Sequence, residues 1–226
     1  MAVRGIIGAF STNARPDLFP DDALMSWYDN IHIPDVIATS GMKTALRYEA
    51  LDPNAKYSWL VVYPVKDINF AGTEEFDNIP KGGHEEIDAH QFTDLAQLDL
   101  RIGARIQVFE PPSATKGRSS YLLAESINIP SEDVAQFDRW YNAEFLPALT
   151  KMSSFRRATR YNVVQSLVPG GPKHLVFYEF DTAEIPMDQI QRGRQNPKAQ
   201  EVLKSATVED VGYKLVKEAG VLDESL

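Results

Sequence analysis

Residues 27–48 read WYDNIHIPDVIATSGMKTALRY, and residues 140–161 read WYNAEFLPALTKMSSFRRATRY. Laid over one another without a gap, at an offset of 140 − 27 = 113, they share Trp27/Trp140, Tyr28/Tyr141, Pro34/Pro147, Ala45/Ala158, Arg47/Arg160 and Tyr48/Tyr161. Agreement in register at residues as rare as tryptophan and tyrosine marks an internal duplication. The chain reads as two copies of one unit.

Outward from this stretch, both copies carry the same order of elements. An apolar strand is predicted over residues 3–11 and again over 120–129. A helix follows, with acids or Ser131 at its start. Leu24, Trp27, Tyr28 and Ile31 fall on one helical face in the first copy, and Phe137, Trp140 and Tyr141 in the second. Pro34 and Pro147 are expected to end or kink these helices. Hairpins are predicted at 44–50 with 57–65 and at 158–165 with 174–180, around Asp52-Pro53-Asn54 and Pro169-Gly170-Gly171-Pro172. Second helical regions are expected over 85–97 and 187–204, and closing strands over 101–110 and 211–218. Residues 111–117 have the composition of a linker.

Each copy is thus strand-helix-strand-strand-helix-strand, the ferredoxin-like split βαβ order. The expectation is an α+β protein of two tandem ferredoxin-like (βαββαβ) units, 1–110 and 119–226, forming a pseudo-dimeric α/β barrel. A four-stranded sheet covered by helices on one side leaves its other face bare, and two such sheets packed face to face would hide both.

Composition bounds the function. The chain has 226 residues, 43% hydrophobic and 10% aromatic, which is ample for a packed core. A net charge of −9 argues against nucleic acid or an anionic membrane as partner. There is no cysteine, which removes disulfides, thiolate metal sites and a cysteine nucleophile, and suits a reducing compartment. The apolar run 5–10 is too short for a signal-peptide core. A cytoplasmic protein is expected. Of the four histidines, His32, His84, His90 and His174, no two have the spacing of a helical zinc pair, so no metal is expected. Phosphate-loop, dinucleotide and nucleophile-elbow motifs are missing as well.

The repeated signature resembles the dimeric α/β-barrel superfamily and, within it, the EthD-like proteins, whose helix often reads W-Y-x-x-E-H-x-P before an R-Y pair on the next strand. The matching residues are Trp27-Tyr28, His32, Pro34 and Arg47-Tyr48, then Trp140-Tyr141, Glu144, Pro147 and Arg160-Tyr161. The copies depart from the pattern in complementary ways. The first has His32 but Ile31 in place of glutamate; the second has Glu144 but Phe145 in place of histidine. The resemblance implies a small-molecule cavity between sheet and helices, and the loss of histidine from the second copy points any chemistry to the first. Some members of the superfamily hold haem through an axial histidine; no ligand cluster supports that here, and no cofactor is expected.

Each candidate residue has a plain alternative. His32, just before Pro34, is either an acid/base catalyst or a cap on the helix end. His84 and His90 sit among three acids at a predicted helix start, which reads as a solvated helix end; the resemblance places acid/base residues on that helix. Tyr48 is a candidate donor to a substrate carbonyl, while Arg47 faces the other way by strand alternation. Trp27, Tyr28, Trp59, Tyr63 and Phe92 either line an aromatic-binding cavity or are ordinary core. His174, after the Pro-Gly-Gly-Pro turn, is expected at the surface.

The leading expectation is a cofactor-independent lyase, cyclase or isomerase acting on an aromatic or polyketide-like molecule. His32 would be its base, with Tyr48 or His90 stabilising the enolate. A cofactor-free monooxygenase, a non-catalytic small-molecule-binding or stress-related protein, and a structural assembly subunit are the alternatives. The fused pair stands as a monomer or pairs further as a homodimer.

Overall fold

In the computed structural model, which describes residues 2–112, 114, 116–221 and 226, the first copy runs from β1 (Gly5–Asn13) into α1 (Asp21–Trp27), a π turn (Tyr28–His32) and α2 (Ile33–Ala38). It continues through β2 (Thr44–Ala50), β3 (Trp59–Val65), α3 (Glu74–Asp77), α4 (Phe92–Leu95) and β4 (Ala96–Phe109). The second copy opens with β5 (Tyr121–Asn128), α5 (Val134–Trp140), a π turn (Tyr141–Phe145) and α6 (Leu146–Leu149). It ends with β6 (Phe155–Ser166), β7 (His174–Phe180), α7 (Met187–Gln195), α8 (Pro197–Leu203) and β8 (Thr207–Gly220).

Pairing follows the ferredoxin-like order β4-β1-β3-β2 in one half and β8-β5-β7-β6 in the other, antiparallel throughout. The expected face-to-face stacking of two sheets takes a different form. Their edges join, β2 to β8 and β4 to β6, into a closed eight-stranded barrel. Closure removes the unpaired edges that separate sheets would expose. The bare faces curve round to become the barrel interior.

Strand alternation divides the side chains between two layers. Ile6, Phe10, Leu46, Tyr48, Leu60, Val62, Tyr161, Phe177 and Tyr213 fill the barrel. Ile7, Ala9, Trp59, Val61 and Tyr63 face outward and pack with Trp27 and Tyr28 of the first helical layer. Phe137, Trp140 and Tyr141 do the same over the second half. Arg101 crosses the bore: held by Asp99 on its own strand, it stacks over Phe10 at 4.1 Å and donates to Ser126 Oγ of β5 at 2.7 Å.

Three helix expectations need correction. The helices do not end at Pro34 and Pro147. Each widens for one turn beforehand, so that the Ile33 and Leu146 amides bond back five residues to the Tyr28 and Tyr141 carbonyls. Widening absorbs the register lost to a residue that cannot donate, and the proline then opens the next α-helical segment. The region 85–97 is not one helix. A 3-10 turn at Glu85–Ile87 stops where Asp88 and Ala89 take φ of 48° and 59°, and β4 already begins at Ala96. Gly82, bridged to Gln91, closes this loop where a Cβ would lie 2.4 Å from the His90 carbonyl. The region 187–204 breaks at extended Asn196, whose side chain caps α8 at the Ala199 amide. No described helix is long and apolar enough to cross a membrane.

Candidate functional site

The π turn is what aims the first copy's polar groups. It brings the Tyr28 and His32 rings to a centroid distance of 4.8 Å, edge to face. His32 also stacks on Trp27 at 5.4 Å, and Trp27 stacks in turn on Phe92 at 5.8 Å. Wide helical turns of this kind recur where side chains must point off the α-helical register.

A cavity of about 390 Å³ lies between this helix and the outer face of the first sheet. The helix contributes Tyr28, His32 and Val36; the sheet contributes Ile7, Ala9 and Tyr63, with Leu98, Leu100 and Ile102 along β4. Phe92 and Ile79 come from the connection between β3 and β4. The rim carries Asp77, Lys81 and Thr93, together with Gln165 and Leu167 from the other copy. The volume and apolar walls are those of a site for a small organic molecule.

Inside this apolar shell the polar groups are few. His32 Nδ1 lies 2.9 Å from the Pro80 carbonyl oxygen. A carbonyl only accepts, so Nδ1 carries the proton and Nε2 is left with a lone pair. Burial pushes the His32 pKa below its ordinary 6.5, against a smaller opposing effect of the Pro80 bond. The ring is therefore neutral at pH 7 and basic at Nε2. The Tyr28 and Tyr63 hydroxyls are 3.3 Å apart. One donates to the other, which leaves one O–H proton of the pair for a ligand. Burial pushes Tyr28 up to about 12 and Tyr63 well above its usual value, so both remain phenols.

The structure thus gathers His32, Tyr28, Tyr63 and Phe92 at one cavity. Trp27 backs it through its stacks on His32 and Phe92, without lining it. Trp59 lies in the same buried layer, off the cavity wall. Three placements are corrected. Tyr48 faces the barrel interior, on the opposite side of the sheet, because its neighbour Arg47 faces the helix and holds Asp29 through two bonds of 2.7 and 2.8 Å. Alternation then sends Tyr48 inward, out of reach of a substrate at His32. His84 pairs with Glu86, and His90 sits at the base of the same half-exposed loop; neither lines the cavity. His174 is half-buried, its Nδ1 3.0 Å from Asn162 Oδ1.

Ile102 falls within the closing strand expected over 101–110, whereas Leu98 and Leu100 lie between that strand and the helical region expected over 85–97; β4 begins earlier, at Ala96, and takes in all three. Gln165 and Leu167 had no sequence signal, since only barrel closure brings them to β4.

The second copy keeps the scaffold and fills the space. Tyr141 and Tyr178 repeat the tyrosine pair, with hydroxyls 2.8 Å apart. Phe145 stands where His32 does, packed on Trp140 at 5.1 Å. In register, Glu125 and Asp210 replace Ala9 and Leu100, and Arg194 from α7 inserts to pair with both. Only about 10 Å³ remains. Glu144, the counterpart of Ile31, turns outward to Lys198.

The donor set does not suit a haem. His32 is the one histidine among the described residues lining either space, and Lys81 is the one cation at the open rim, its ammonium already on the Asp77 carbonyl at 2.7 Å. Two propionates would find no second cation among the described lining residues. No group of three or more metal-ligating side chains occurs among the described residues.

No protein-family model matches the sequence, and no curated protein matches it. Solved structures do. An anthrone oxidase-like protein superposes with a TM-score of 0.63 at 11% identity, covering 100% of this chain and 96% of its own. A chlorite dismutase variant from Candidatus Nitrospira defluvii gives 0.63 at 11% identity, over 96% of this chain and 93% of its own. A monooxygenase-like protein from Fusobacterium nucleatum subsp. nucleatum gives 0.55 at 8% identity, over 100% and 99%. At such identities the likeness is one of fold: the chain has the fold of the dimeric α/β barrels, with both ferredoxin-like units in one polypeptide.

Proposed function

We propose that the N-terminal cavity binds a small, largely apolar, ring-bearing molecule and that His32 removes a proton from a carbon next to its carbonyl. The reading places the chain with EthD-like, cofactor-independent lyases, cyclases and isomerases, and needs only one chain, in a reducing compartment such as the cytoplasm. Unit 1–110 carries the chemistry; unit 119–226 completes the barrel. The observation that carries it is the His32–Pro80 contact, which fixes the proton on Nδ1 and leaves Nε2 basic at the cavity. As Nε2 takes the proton, negative charge moves to the carbonyl oxygen, where the spare O–H of the Tyr28–Tyr63 pair donates to it. General base catalysis of this kind contributes on the order of 10²–10⁴-fold in rate.

A second reading shares the first step. The similarity to the anthrone oxidase-like and monooxygenase-like structures favours a carbanion that passes its electrons to molecular oxygen. With anthrone as substrate the balance is anthrone plus O₂ to anthraquinone plus water: two C–H bonds are lost at the methylene, one oxygen atom enters as C=O, and the other leaves in water.

Anthrone serves as a probe for both. Deuterium exchange at its methylene, measured under argon, reports proton abstraction; oxygen uptake in air reports the second reading. His32→Gln should abolish exchange with the fold retained by circular dichroism. Exchange in the variant equal to that of the wild type would remove His32 from the chemistry. Exchange without oxygen uptake favours the isomerase class, and coupled uptake the monooxygenase.

A further inference from the structure

The cavity wall does not end with the copy that owns His32. Leu167 lies just beyond β6, in the other copy, and lines the mouth although 51% of it is exposed. Its amide donates to the Leu100 carbonyl at 3.0 Å, and the preceding Ser166 hydroxyl donates to Asp99 at 2.9 Å. Two hydrogen bonds therefore pin the rim to β4, whose Leu98 and Leu100 form the wall beneath. Gln165, paired with Ile102 in the ladder, turns an exposed amide to the same mouth, with no hydrogen-bond partner among the described residues.

A leucine held open to water on a strand end and lining an apolar cavity extends the wall of that cavity to the surface. The other half makes the contrast. There Leu51 also bonds β8, its amide on the Gly212 carbonyl at 2.8 Å, and its side chain, 39% exposed, lies over Gly212, whose added Cβ would sit 3.2 Å from Leu51 Cδ1. On the His32 side Leu167 bonds Leu100, two residues along β4 from Ile102, the register counterpart of Gly212, and Leu100 and Ile102 both line the open cavity.

We infer that Leu167 and Gln165 of the C-terminal half form an outer subsite for substrates too long for the inner cavity, selecting fused multi-ring molecules over single rings. Leu167 covers the distal ring, and the Gln165 amide hydrogen-bonds an oxygen carried on it. The inference rests on the reading of the cavity as a site for ring-bearing molecules. It makes the second copy part of substrate recognition and not of proton transfer.

The test compares a three-ring probe, anthrone, with a single-ring probe, acetophenone, by quenching of tryptophan fluorescence in the full chain. Leu167→Ser should weaken anthrone binding about tenfold and leave acetophenone unchanged, as expected for losing roughly half a leucine's burial. Gln165→Leu should weaken only oxygen-bearing multi-ring probes such as 1,8-dihydroxyanthraquinone. Leu167 is exposed and outside the core, so both variants are expected to fold. Unchanged anthrone affinity in Leu167→Ser, or equal loss for both probes, overturns the subsite. If that happens while His32→Gln still abolishes deuterium exchange, the proton-transfer reading stands alone. If anthrone binds selectively through Leu167 but the wild type exchanges no protons, the subsite stands and the catalytic reading falls. A wild type that binds neither probe overturns the subsite.

Discussion

Arg194 and Glu125 form a buried ion pair at the level where the first half keeps its cavity open, their side chains only 9% and 3% exposed. Asp210 takes the other edge of the guanidinium, with one bond at 3.0 Å, and Tyr178 donates to Glu125 at 2.8 Å. The second site is thus occupied by its own chain, and the cluster has consequences for stability.

Arg194→Ala strands two buried carboxylates, and a loss of about 3–5 kcal/mol is expected from urea unfolding at pH 7. Burial raises the Glu125 pKa above its ordinary 4.5. A carboxyl raised in the folded state favours folding below its unfolded pKa, and that contribution is lost as pH rises. Without Arg194 to hold the anion, the raise is larger. The deficit of the variant should therefore shrink as pH falls from 7 toward 4.5. A deficit independent of pH would mean that Glu125 is not the stranded charge.

His32 gives the opposite sign. Its folded pKa lies below 6.5, so the folded ring resists protonation that the unfolded chain accepts. Stability from this group is full above 6.5 and lost as pH falls toward the folded value. In the same way, kcat/KM for deuterium exchange by the wild type should keep its plateau below pH 6.5 before an acid limb sets in. An acid limb above 6.5 in the wild type would contradict a half-buried neutral base.

Tyr161 places a hydroxyl in the barrel with no hydrogen-bond partner among the described residues. Replacing it by phenylalanine removes a desolvation cost and keeps the ring. Tyr161→Phe should be neutral or stabilising, by up to about 1–2 kcal/mol in urea unfolding. Its repeat partner Tyr48 lines the same interior, so Tyr48→Phe should leave deuterium exchange unchanged. A large loss of exchange in Tyr48→Phe would restore that residue to the site.

Ala89 adopts φ of 59° on the connection that brings Phe92 and Thr93 to the cavity. Left-handed backbone costs an L-residue roughly 1–2 kcal/mol. Ala89→Gly relieves the strain but adds unfolded-state freedom, so a net gain of about 0.5–1 kcal/mol is expected by thermal or urea unfolding. Destabilisation would mean that the methyl group packs usefully.

The architecture was legible because the repeat is carried by residues with structural partners. Arg47 ties to Asp29, and Arg160 to Asp138 and Gln107, so each R-Y strand is clamped to its helix layer. Tyr28 and Tyr141 each reach from the helix layer to a second tyrosine on the facing sheet. The inequality of His32 and Phe145 was legible too, and it coincides with one open and one filled space. What stayed hidden depended on three-dimensional placement. Alternation separates Arg47 from Tyr48 without saying which faces the helix. The acids around His84 and His90 imitate a helix start, while the φ values at Asp88 and Ala89 stop it. Leu167 reaches the cavity only through a strand pair that closes the barrel.

The proposed chemistry turns on a neutral His32 that carries its proton on Nδ1 and keeps Nε2 free for the ligand. Nitrogen-15 NMR of histidine-labelled protein tests it most directly, with His32→Gln assigning the signal. A protonated Nδ1 and an unprotonated Nε2 at pH 7, a titration midpoint below 6.5, and a shift of the Nε2 resonance on adding anthrone are the expected results. A cationic ring at pH 7, a proton on Nε2, or a resonance indifferent to saturating ligand would contradict it.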